Sequence, residues 1–240
     1  MKAMIFAAGL GTRLYPLTLS KPKALAEIEG KPLLQLAIEK VSQAGYTELV
    51  INIHHFGDQI IDFLQEHNNF DLDIRISDER DQLLDTGGGI LKAAPLLEGD
   101  EPFLVYNVDV LSDIDLKLFR RYHKERGGVA TLAVRERKTD RYLAFDRSMQ
   151  LAGWKNIKTG EEISSRNMKN SRLMAFSGIQ LVEPAIFKLI TETGNFPLIP
   201  LYLRLAREYP IIGYNDESLL WMDLGKTDQL KEAAQYIVNR

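Results

Sequence analysis

Blocks of apolar and polar residues alternate along the chain, and they predict strands and helices in turn. The apolar run of residues 2–8 has the character of a buried strand, and a long loop rich in glycine, proline and lysine follows at residues 9–31. Apolar residues then recur at helical spacing after Pro32, and Gly45 marks the end of this helix. Strand-like and helix-like segments continue to alternate up to about residue 112. This alternation predicts βαβ units and a mainly parallel sheet with helices on both faces.

The pattern changes after the helix-like segment IDLKLFRRYHKERGG. Four strand-like segments follow without long helices between them, namely VATLAV, RYLAFD, LAGWKN and RLMAFSGIQLV. They indicate an antiparallel extension of the sheet. The predicted elements after them are the helices PAIFKLIT and PLIPLYLRLAREY, the strands IIGYN and LLWMDLG, and the helix DQLKEAAQYIVN. Because no linker, repeat or low-complexity tract interrupts the chain, we expect a single α/β domain over residues 1–240.

Composition narrows the possible classes of protein. The 240 residues are 45% hydrophobic and 26% charged, which is ordinary for a globular protein. The net charge of −3 gives no global basic field for nucleic acid or membrane, so we expect neither partner. The absence of cysteine excludes disulfides, thiolate metal sites and cysteine nucleophiles. We expect no signal peptide or transmembrane helix, and a cytoplasmic protein.

The segment FAAGLGTRLYPLTLSKPKAL, residues 6–25, carries the strongest chemical signal. Glycines after the first strand of a parallel sheet let the backbone approach a phosphate closely. A dinucleotide fingerprint would need a third glycine where Leu14 stands, and no Walker loop is present. Arg13 instead supplies a forked donor for phosphate oxygens, and Lys23 supplies a compact charge. The first 32 residues hold five cations against two carboxylates, so the segment predicts an anion site rather than a plain solvated turn.

This segment resembles the signature of the sugar-1-phosphate nucleotidylyltransferases, and the resemblance covers essentially the whole chain. It continues in the segments KPLLQLAIEKVSQAG, LLDTGGGILKAAPLL, NVDVLSDID, FSGIQLVEPAIF and WMDLGKTDQL. Within the family, the chain most resembles the short, single-domain N-acetylmuramate α-1-phosphate uridylyltransferases. The resemblance implies a three-layer, Rossmann-like nucleotidyltransferase fold with a mixed, mainly parallel sheet. It also implies a nucleotide-binding half of about residues 1–112 and an acceptor-binding half of about residues 113–240.

The implied reaction is attack of a sugar 1-phosphate oxygen on the α-phosphorus of a nucleoside triphosphate, with release of pyrophosphate. The nucleophile is already an anion, so positioning and charge stabilisation supply most of the rate. The resemblance implies catalytic roles for Arg13, on the triphosphate and pyrophosphate, and for Lys23, at the α-phosphate. It assigns Mg²⁺ to Asp109 and Asp223, which lie near the ends of apolar strands. Taken alone, each aspartate is equally typical of a turn or a helix cap.

Two glycine-rich segments are implied to hold the nucleotide. The nucleotide-binding candidates are Ala8, Gly9, Gly11, Thr12, Asp85 and Gly88. Ala8 and Gly9 are implied to lie on one side of the base and Gly88 on the other, although Asp85 or Thr86 could equally be a helix cap. Relatives often carry glutamate where Asp85 stands. The segment AAG favours a pyrimidine, and UTP first, because many guanylyltransferases have glycine at the position of Ala8.

The acceptor is implied by segments in the second half of the chain. Asn107 is a candidate hydrogen-bonding partner of the sugar, and Val108 stands where many relatives have glycine. Ser177 and Gly178 belong to the segment FSGI, which resembles the family segment beside the sugar. Trp221 either lines the sugar pocket or belongs to the core. Most cations between residues 135 and 172 are expected to be solvated, with one or two reaching the acceptor phosphate.

The favoured reaction joins UTP to N-acetylmuramate 1-phosphate, in a monomer or small homo-oligomer. The alternatives are a guanylyltransferase for mannose or heptose 1-phosphate, a choline-phosphate cytidylyltransferase, and an inactive nucleotide-sensing homologue. An inactive homologue would be expected to have lost at least one of Arg13, Lys23, Asp109 and Asp223.

The histidines are expected to have no chemical role. His54 and His55 are adjacent on a strand end, so they point to opposite faces and form a poor chelating pair. The helical patterns around His67 and His123 predict that both lie on helix surfaces.

Overall fold

The computed structural model describes residues 1–238, in which strands and helices follow the predicted order. The strands are β1 (Lys2–Phe6), β2 (Glu27–Ile28), β3 (Lys31–Pro32), β4 (Glu48–Ile53), β5 (Asp73–Asp78), β6 (Phe103–Asn107), β7 (Val110–Ser112), β8 (Ala130–Arg135), β9 (Arg141–Phe145), β10 (Leu151–Asn156), β11 (Glu162–Ser164), β12 (Arg172–Val182), β13 (Ile211–Asn215) and β14 (Trp221–Asp223). The helices are α1 (Leu33–Gln43), α2 (Gly57–Glu66), α3 (Asp85–Leu97), α4 (Leu116–Arg126), α5 (Leu198–Leu205) and α6 (Thr227–Val238).

The centre of the main sheet is parallel. Strands β5, β4, β1 and β6 lie side by side, with β1 between β4 and β6. Strand β12 pairs antiparallel with β6, and β9, β10 and β11 extend the sheet beyond β12. Strand β8 also pairs with β12 and carries β13 in parallel. The predicted three-layer, Rossmann-like α/β fold with a mixed, mainly parallel sheet is confirmed.

Helices cover both faces of this sheet. In β1, Ala3 and Ile5 point into a core shared with α1, α2, α4 and α6, whereas Met4 points into a core shared with α3 and α5. Because both faces are buried, the strand is apolar throughout instead of alternating. No helix within residues 1–238 is long and apolar enough to cross a bilayer. The division of one domain into two functional halves remains a prediction.

Two predicted elements differ from the structure in detail. Residues 9–31 are not one continuous loop, because they contain 3₁₀ turns at Thr12–Leu14 and Lys23–Leu25 and the strand β2. The segment PAIFKLIT was expected to form a helix, but only the 3₁₀ turn Pro184–Lys188 is present. The helix does not continue, because the N–H groups of Leu189 and Ile190 both bind the Ile186 carbonyl and the Leu189 carbonyl accepts Arg204 Nη2 at 3.0 Å.

His123 is buried, so the prediction that it lies on a helix surface is wrong. Its side chain shares one face of α4 with Leu116 and Phe119, and it is only 1% exposed. Nδ1 lies 2.7 Å from Thr131 Oγ1, and Nε2 lies 3.0 Å from Glu183 Oε1. Burial lowers the pKa of His123, and the neighbouring Glu183 opposes that shift only in part.

The lowered pKa of His123 predicts a pH-dependent stability. An unfolded histidine titrates near pH 6.5, so below about pH 7 the unfolded chain binds a proton that the folded imidazole does not take up. The free energy of unfolding should therefore fall as the pH drops from 7.5 to 5.5. In the variant His123→Gln, this fall should be smaller by on the order of 1 kcal/mol. Urea denaturation at both pH values measures the difference.

The matched control is His67→Gln, since His67 is exposed at the end of α2. This control should leave the pH dependence of unfolding close to that of the unaltered protein. Equal pH dependence in the His123 variant and the unaltered protein would contradict the assignment of a neutral, buried imidazole.

Candidate functional site

A cavity of about 280 Å³ lies at the carboxyl ends of β1, β4 and β6. Ligands of α/β proteins bind at this edge of the sheet. Its walls are formed by Phe6, Ala7, Ala8, Gly9, Lys23, Asn52, Glu79, Leu83, Asp85, Thr86, Asn107, Val108, Asp109 and Asn195. Six residues predicted from the sequence therefore meet in one cavity, namely Ala8, Gly9, Lys23, Asp85, Asn107 and Asp109.

An ion pair joins the opening loop to the central sheet. The Lys23 ammonium contacts Asp109 Oδ2, and the two side chains are only 11% and 17% exposed. Lys23 begins a 3₁₀ turn of the loop, whereas Asp109 lies just beyond the end of β6. Each charge neutralises the other, and removing either partner would leave a largely buried charge without compensation.

Two glycines of the loop differ in what surrounds them. Gly11 has φ +66°, and Thr18 Oγ1 donates a hydrogen bond of 2.8 Å to its carbonyl. A Cβ on Gly11 would lie 2.9 Å from Lys23 Cβ, so only glycine lets this backbone pack on the lysine stem. A Cβ on Gly9, by contrast, would have no protein atom within 4 Å, although Gly9 lines the cavity.

The small sheet of β7 and β14 brings Asp223 next to Asp109. Asp223 is paired in register with Val110, and the backbone N–H of Leu224 donates to the Asp109 carbonyl at 2.7 Å. Asp223, at the end of β14, therefore lies beside Asp109, although the two aspartates are far apart in sequence. The predicted metal pair is thus assembled at one place.

Arg13 lies at the outer side of this pair. Its guanidinium Nη2 and Asp223 Oδ1 are 2.5 Å and 2.8 Å from the point at which a Cβ on Gly225 would sit. Arg13 is exposed, and it follows Thr12 in the 3₁₀ turn Thr12–Leu14. Two cations and two carboxylates therefore form one cluster, hereafter the charged cluster, which consists of Arg13, Lys23, Asp109 and Asp223.

The charged cluster fits a hard divalent cation. Asp223 Oδ1 accepts the backbone N–H of Gly225 at 2.9 Å, which orients the carboxylate. Asp109 Oδ2 already faces the ammonium of Lys23, so its surroundings suit a positive charge. Among residues 1–238, no three acidic, histidine or cysteine side chains gather as a metal cage. Two carboxylates, completed by phosphate oxygens and water, are the usual protein share of a Mg²⁺ site.

A buried polar network in the wall of the cavity was not predicted from the sequence. Asn52 Oδ1 accepts the backbone N–H of Ala7 at 2.7 Å, and Asn52 Nδ2 donates to Glu79 Oε1 at 2.8 Å. Glu79 is fully buried, and its Oε2 accepts the N–H of Leu84 at 3.2 Å. The network fixes the point at which the chain leaves β1. A polar residue within the apolar strand ELVINI was the available signal.

The start of α3 is arranged differently from the predicted cap. Asp85 Oδ1 accepts the adjacent Thr86 N–H at 2.6 Å, and Thr86 Oγ1 accepts the N–H of Leu198 at 3.0 Å. Neither side chain caps the helix. A Cβ on Gly88 would lie 2.3 Å from the carbonyl oxygen of Gly194, so backbone packing requires this glycine. Gly88 is buried and does not line the cavity.

The candidate sugar-binding residues lie near the charged cluster, but Asn107 alone among them lines the cavity, and Ser177 and Gly178 are buried. Gly178 has φ +77°, and a Cβ on it would lie 3.0 Å from Asn107 Nδ2. Trp221 Nε1 donates to the Ser177 carbonyl at 2.9 Å, so Trp221 is held against β12. The Ser177 hydroxyl is buried and has no hydrogen-bond partner. Asn107, Ser177, Gly178 and Trp221 are therefore close together.

A charged cluster at the strand ends of such a sheet is typical of α/β proteins that bind phosphate-bearing ligands. Residues 2–145 match the family described as "Nucleotidyl transferase". The chain is 34% identical over 233 residues to the N-acetylmuramate alpha-1-phosphate uridylyltransferase of Neisseria meningitidis serogroup B, which covers 97% of this chain and 96% of that protein. The chain belongs to the nucleotidyl transferase family and is a sugar-1-phosphate nucleotidylyltransferase.

The chain is also similar to a guanyltransferase and to a crystal structure of a pyrophosphorylase. The chain is 29% identical over 234 residues to mannose-1-phosphate guanyltransferase 2 of Candida glabrata, over 94% of this chain and 62% of that protein. A crystal structure of UDP-glucose pyrophosphorylase complexed with UDP-glucose superposes with a TM-score of 0.79 at 22% identity, covering 100% of this chain and 99% of the other. The superposition confirms the fold.

The surroundings of Gly11 and Gly9 predict different effects of an added methyl group, on stability at Gly11 and on UTP binding at Gly9. Gly11→Ala should destabilise the protein by about 1–2 kcal/mol, because alanine is strained at this positive φ and its Cβ meets Lys23. Gly9→Ala should leave stability unchanged but weaken UTP binding about tenfold, a loss of about 1.4 kcal/mol, because the triphosphate is expected to approach this bare backbone.

Thermal unfolding and UTP titration calorimetry separate the two variants. A folded Gly9→Ala protein with unchanged UTP affinity would contradict the placement of the triphosphate against Gly9. A Gly11→Ala protein as stable as the original would contradict the close packing on Lys23.

Proposed function

We propose that the protein transfers the uridylyl group of UTP to N-acetylmuramate α-1-phosphate, giving the UDP-sugar and pyrophosphate. The observation that carries this proposal is the charged cluster at the strand ends, in a chain of this family. The family binds nucleoside triphosphates and sugar 1-phosphates. The choice of UTP and N-acetylmuramate is supported by 34% identity, over nearly the whole chain, to a relative with that activity.

The chemistry asks the protein to bring two anions together. A phosphate oxygen of the sugar 1-phosphate forms a bond to the α-phosphorus, and the bond from the α-phosphorus to the pyrophosphate oxygen breaks. The nucleophile needs no proton removed, so the cations do most of the work. In the proposal, Lys23 moves its ammonium from Asp109 to the α-phosphate, and Arg13 holds the departing pyrophosphate.

Asp109 and Asp223 would hold the divalent metal on which this family generally depends, and we propose Mg²⁺. The bound ion would neutralise phosphate charge during the transfer. Asp109 would then exchange Lys23 for a doubly charged partner, which releases the ammonium toward the nucleotide. The Gly225 N–H, which donates to Asp223 Oδ1, would keep that carboxylate oriented.

The proposal extends to the other assigned residues. Ala8, Gly9, Gly11, Thr12 and Asp85 would hold the nucleotide, and Gly88 would act at a distance by shaping α3. Asn107, Ser177, Gly178 and Trp221 would contact the sugar. The proposed location is the cytoplasm, where nucleoside triphosphates are available, and the proposed state is a monomer or small homo-oligomer with one domain per chain.

The first test is pyrophosphate release with Mg²⁺, crossing UTP, dTTP, CTP and GTP with a panel of sugar 1-phosphates. We expect the largest kcat/KM with UTP and N-acetylmuramate 1-phosphate. Preference for GTP with mannose or heptose 1-phosphate would keep the mechanism and contradict the proposed substrates. That alternative is favoured by the similarity to the guanyltransferase of Candida glabrata.

No release from any combination would instead support an inactive, nucleotide-sensing protein. UTP binding measured by calorimetry in the same preparation distinguishes that outcome from a misfolded sample, because a sensing protein would still bind the nucleotide.

The proposed metal ligands predict a changed Mg²⁺ requirement. Asp223→Asn keeps a carbonyl oxygen for the Gly225 N–H but removes the charge, so the Mg²⁺ concentration for half-maximal rate should rise about tenfold or more. The measurement is initial rate of pyrophosphate release over a Mg²⁺ titration. Asp228→Asn, an exposed acid at the start of α6, is the control. An unchanged titration curve in Asp223→Asn would overturn the metal assignment.

A further inference from the structure

A second cavity, of about 480 Å³, lies between the β9–β11 part of the sheet and helix α5. Its walls are mostly apolar and include Leu143, Trp154, Ile163, Phe176, Ile199 and Leu203. The charged residues on its walls are Arg137, Arg141 and Glu161, so cations outnumber carboxylates. None of the residues of the charged cluster lines this cavity.

Arg137 is held in one place at the wall of this second cavity. Its guanidinium carbon lies 4.3 Å from the ring centroid of Trp221, and Nη2 donates to the Phe176 carbonyl at 3.1 Å. Tyr142 Oη donates to the Arg137 carbonyl at 3.2 Å, which fixes the backbone as well. An arginine restrained in this way loses little further freedom when it binds a ligand.

The positive charge of Arg137 is only partly compensated, because Asp223 acts on it from beyond ion-pair distance. Two residues earlier, Arg135 Nη1 lies 3.5 Å from the buried carboxylate of Asp216. Arg137, in contrast, makes no ion pair with any residue of the described chain, and its buried Nε has no hydrogen-bond partner. Burial lowers the pKa of Arg137, and the charge of Asp223 opposes that shift only in part. A restrained guanidinium whose charge is only partly compensated suits an anionic ligand.

The second cavity lies apart from the residues that would surround the reacting phosphates. The acceptor phosphate has to meet the α-phosphorus beside Lys23 and Asp109, which line the first cavity and not the second. Arg137 approaches the charged cluster through its stacking on Trp221, which lies two residues before Asp223 in β14, and it also feels the charge of Asp223. The second cavity therefore suits a substituent of the sugar with an apolar body and an acidic group.

We propose that Arg137 determines acceptor specificity by binding the carboxylate of an acidic sugar 1-phosphate, whose substituent occupies the second cavity. This inference rests on the proposed function. N-acetylmuramate 1-phosphate carries such a carboxylate on its lactyl ether, whereas N-acetylglucosamine 1-phosphate is the same hexosamine without it. The pair isolates the lactyl ether, because both share the reacting phosphate and the acetamido group, and the arginine variants then separate its carboxylate from its apolar part.

The test compares kcat/KM for these two acceptors, with saturating UTP and Mg²⁺, in the unaltered protein and in Arg137→Gln. The ratio of acidic to neutral acceptor should fall about 10- to 100-fold in Arg137→Gln, since a charge-assisted hydrogen bond is lost. The neutral acceptor serves as the internal measure of folding and chemistry. Arg137→Lys, which keeps the charge without the planar fork, should restore part of the ratio.

The control is Lys138→Gln, because Lys138 is the exposed neighbour of Arg137 and loses the same charge. It should leave the acceptor ratio unchanged. An unchanged ratio in Arg137→Gln, or an equal loss for both acceptors in a variant with the original unfolding temperature, would overturn the proposal. If Arg137→Gln does not fold, an unchanged ratio of acidic to neutral acceptor in Arg137→Lys would overturn the proposal instead.

Failure of the proposed function gives a different result. In that case the unaltered protein would show no turnover of N-acetylmuramate 1-phosphate at all. Pyrophosphate release with a neutral acceptor alone would show that the substrate is not an acidic sugar 1-phosphate. Turnover of the acidic acceptor without dependence on Arg137 would keep the proposed function and reject only the specificity residue.

Discussion

The ion pair between Lys23 and Asp109 is the interaction on which the geometry of the site depends. Both side chains are largely buried, so their attraction offsets the lost hydration only while their positions are held. The loop holds the lysine because Gly11 packs directly against its stem. The sheet holds the aspartate because the Leu224 N–H binds its carbonyl and ties β14 to the end of β6. Loop, central sheet and β14 therefore meet at this one pair.

Charge balance explains why cations and carboxylates are collected together. Arg13 and Lys23 alone would repel each other, and Asp109 with Asp223 neutralises them before any substrate binds. A triphosphate and a sugar phosphate add negative charge, which a divalent ion at the two carboxylates would offset. In the proposed reaction, Asp109 would exchange Lys23 for the divalent ion. The same carboxylate would thus hold the lysine in one state and the metal in the other.

The sequence allowed prediction of features that depend on local order, and not of those that depend on distant contacts. The position of Lys23 in the loop and the position of Asp109 after an apolar strand are local signals. Because ligands of α/β sheets bind at the carboxyl ends of the strands, both signals predict the same cavity. The Asn52–Glu79 network joins three separate segments, so no spacing indicates it. The burial of His123 also depends on distant partners, because one face of α4 packs on Thr131 and Glu183.

The two cavities are built from different parts of the sheet, and this separation has a consequence for specificity. The parallel centre supplies walls of the first cavity, where the ion pair holds Lys23 and Asp109 in place. Strands β9–β11 and helix α5 contribute no residue to the charged cluster, yet they form the wall next to Arg137. Strand β12 connects the regions, since Phe176 lines the second cavity while Gly178 contacts Asn107 beside the first. If the second cavity binds the acceptor as proposed, substitutions in the antiparallel extension would alter acceptor choice without moving the charged cluster.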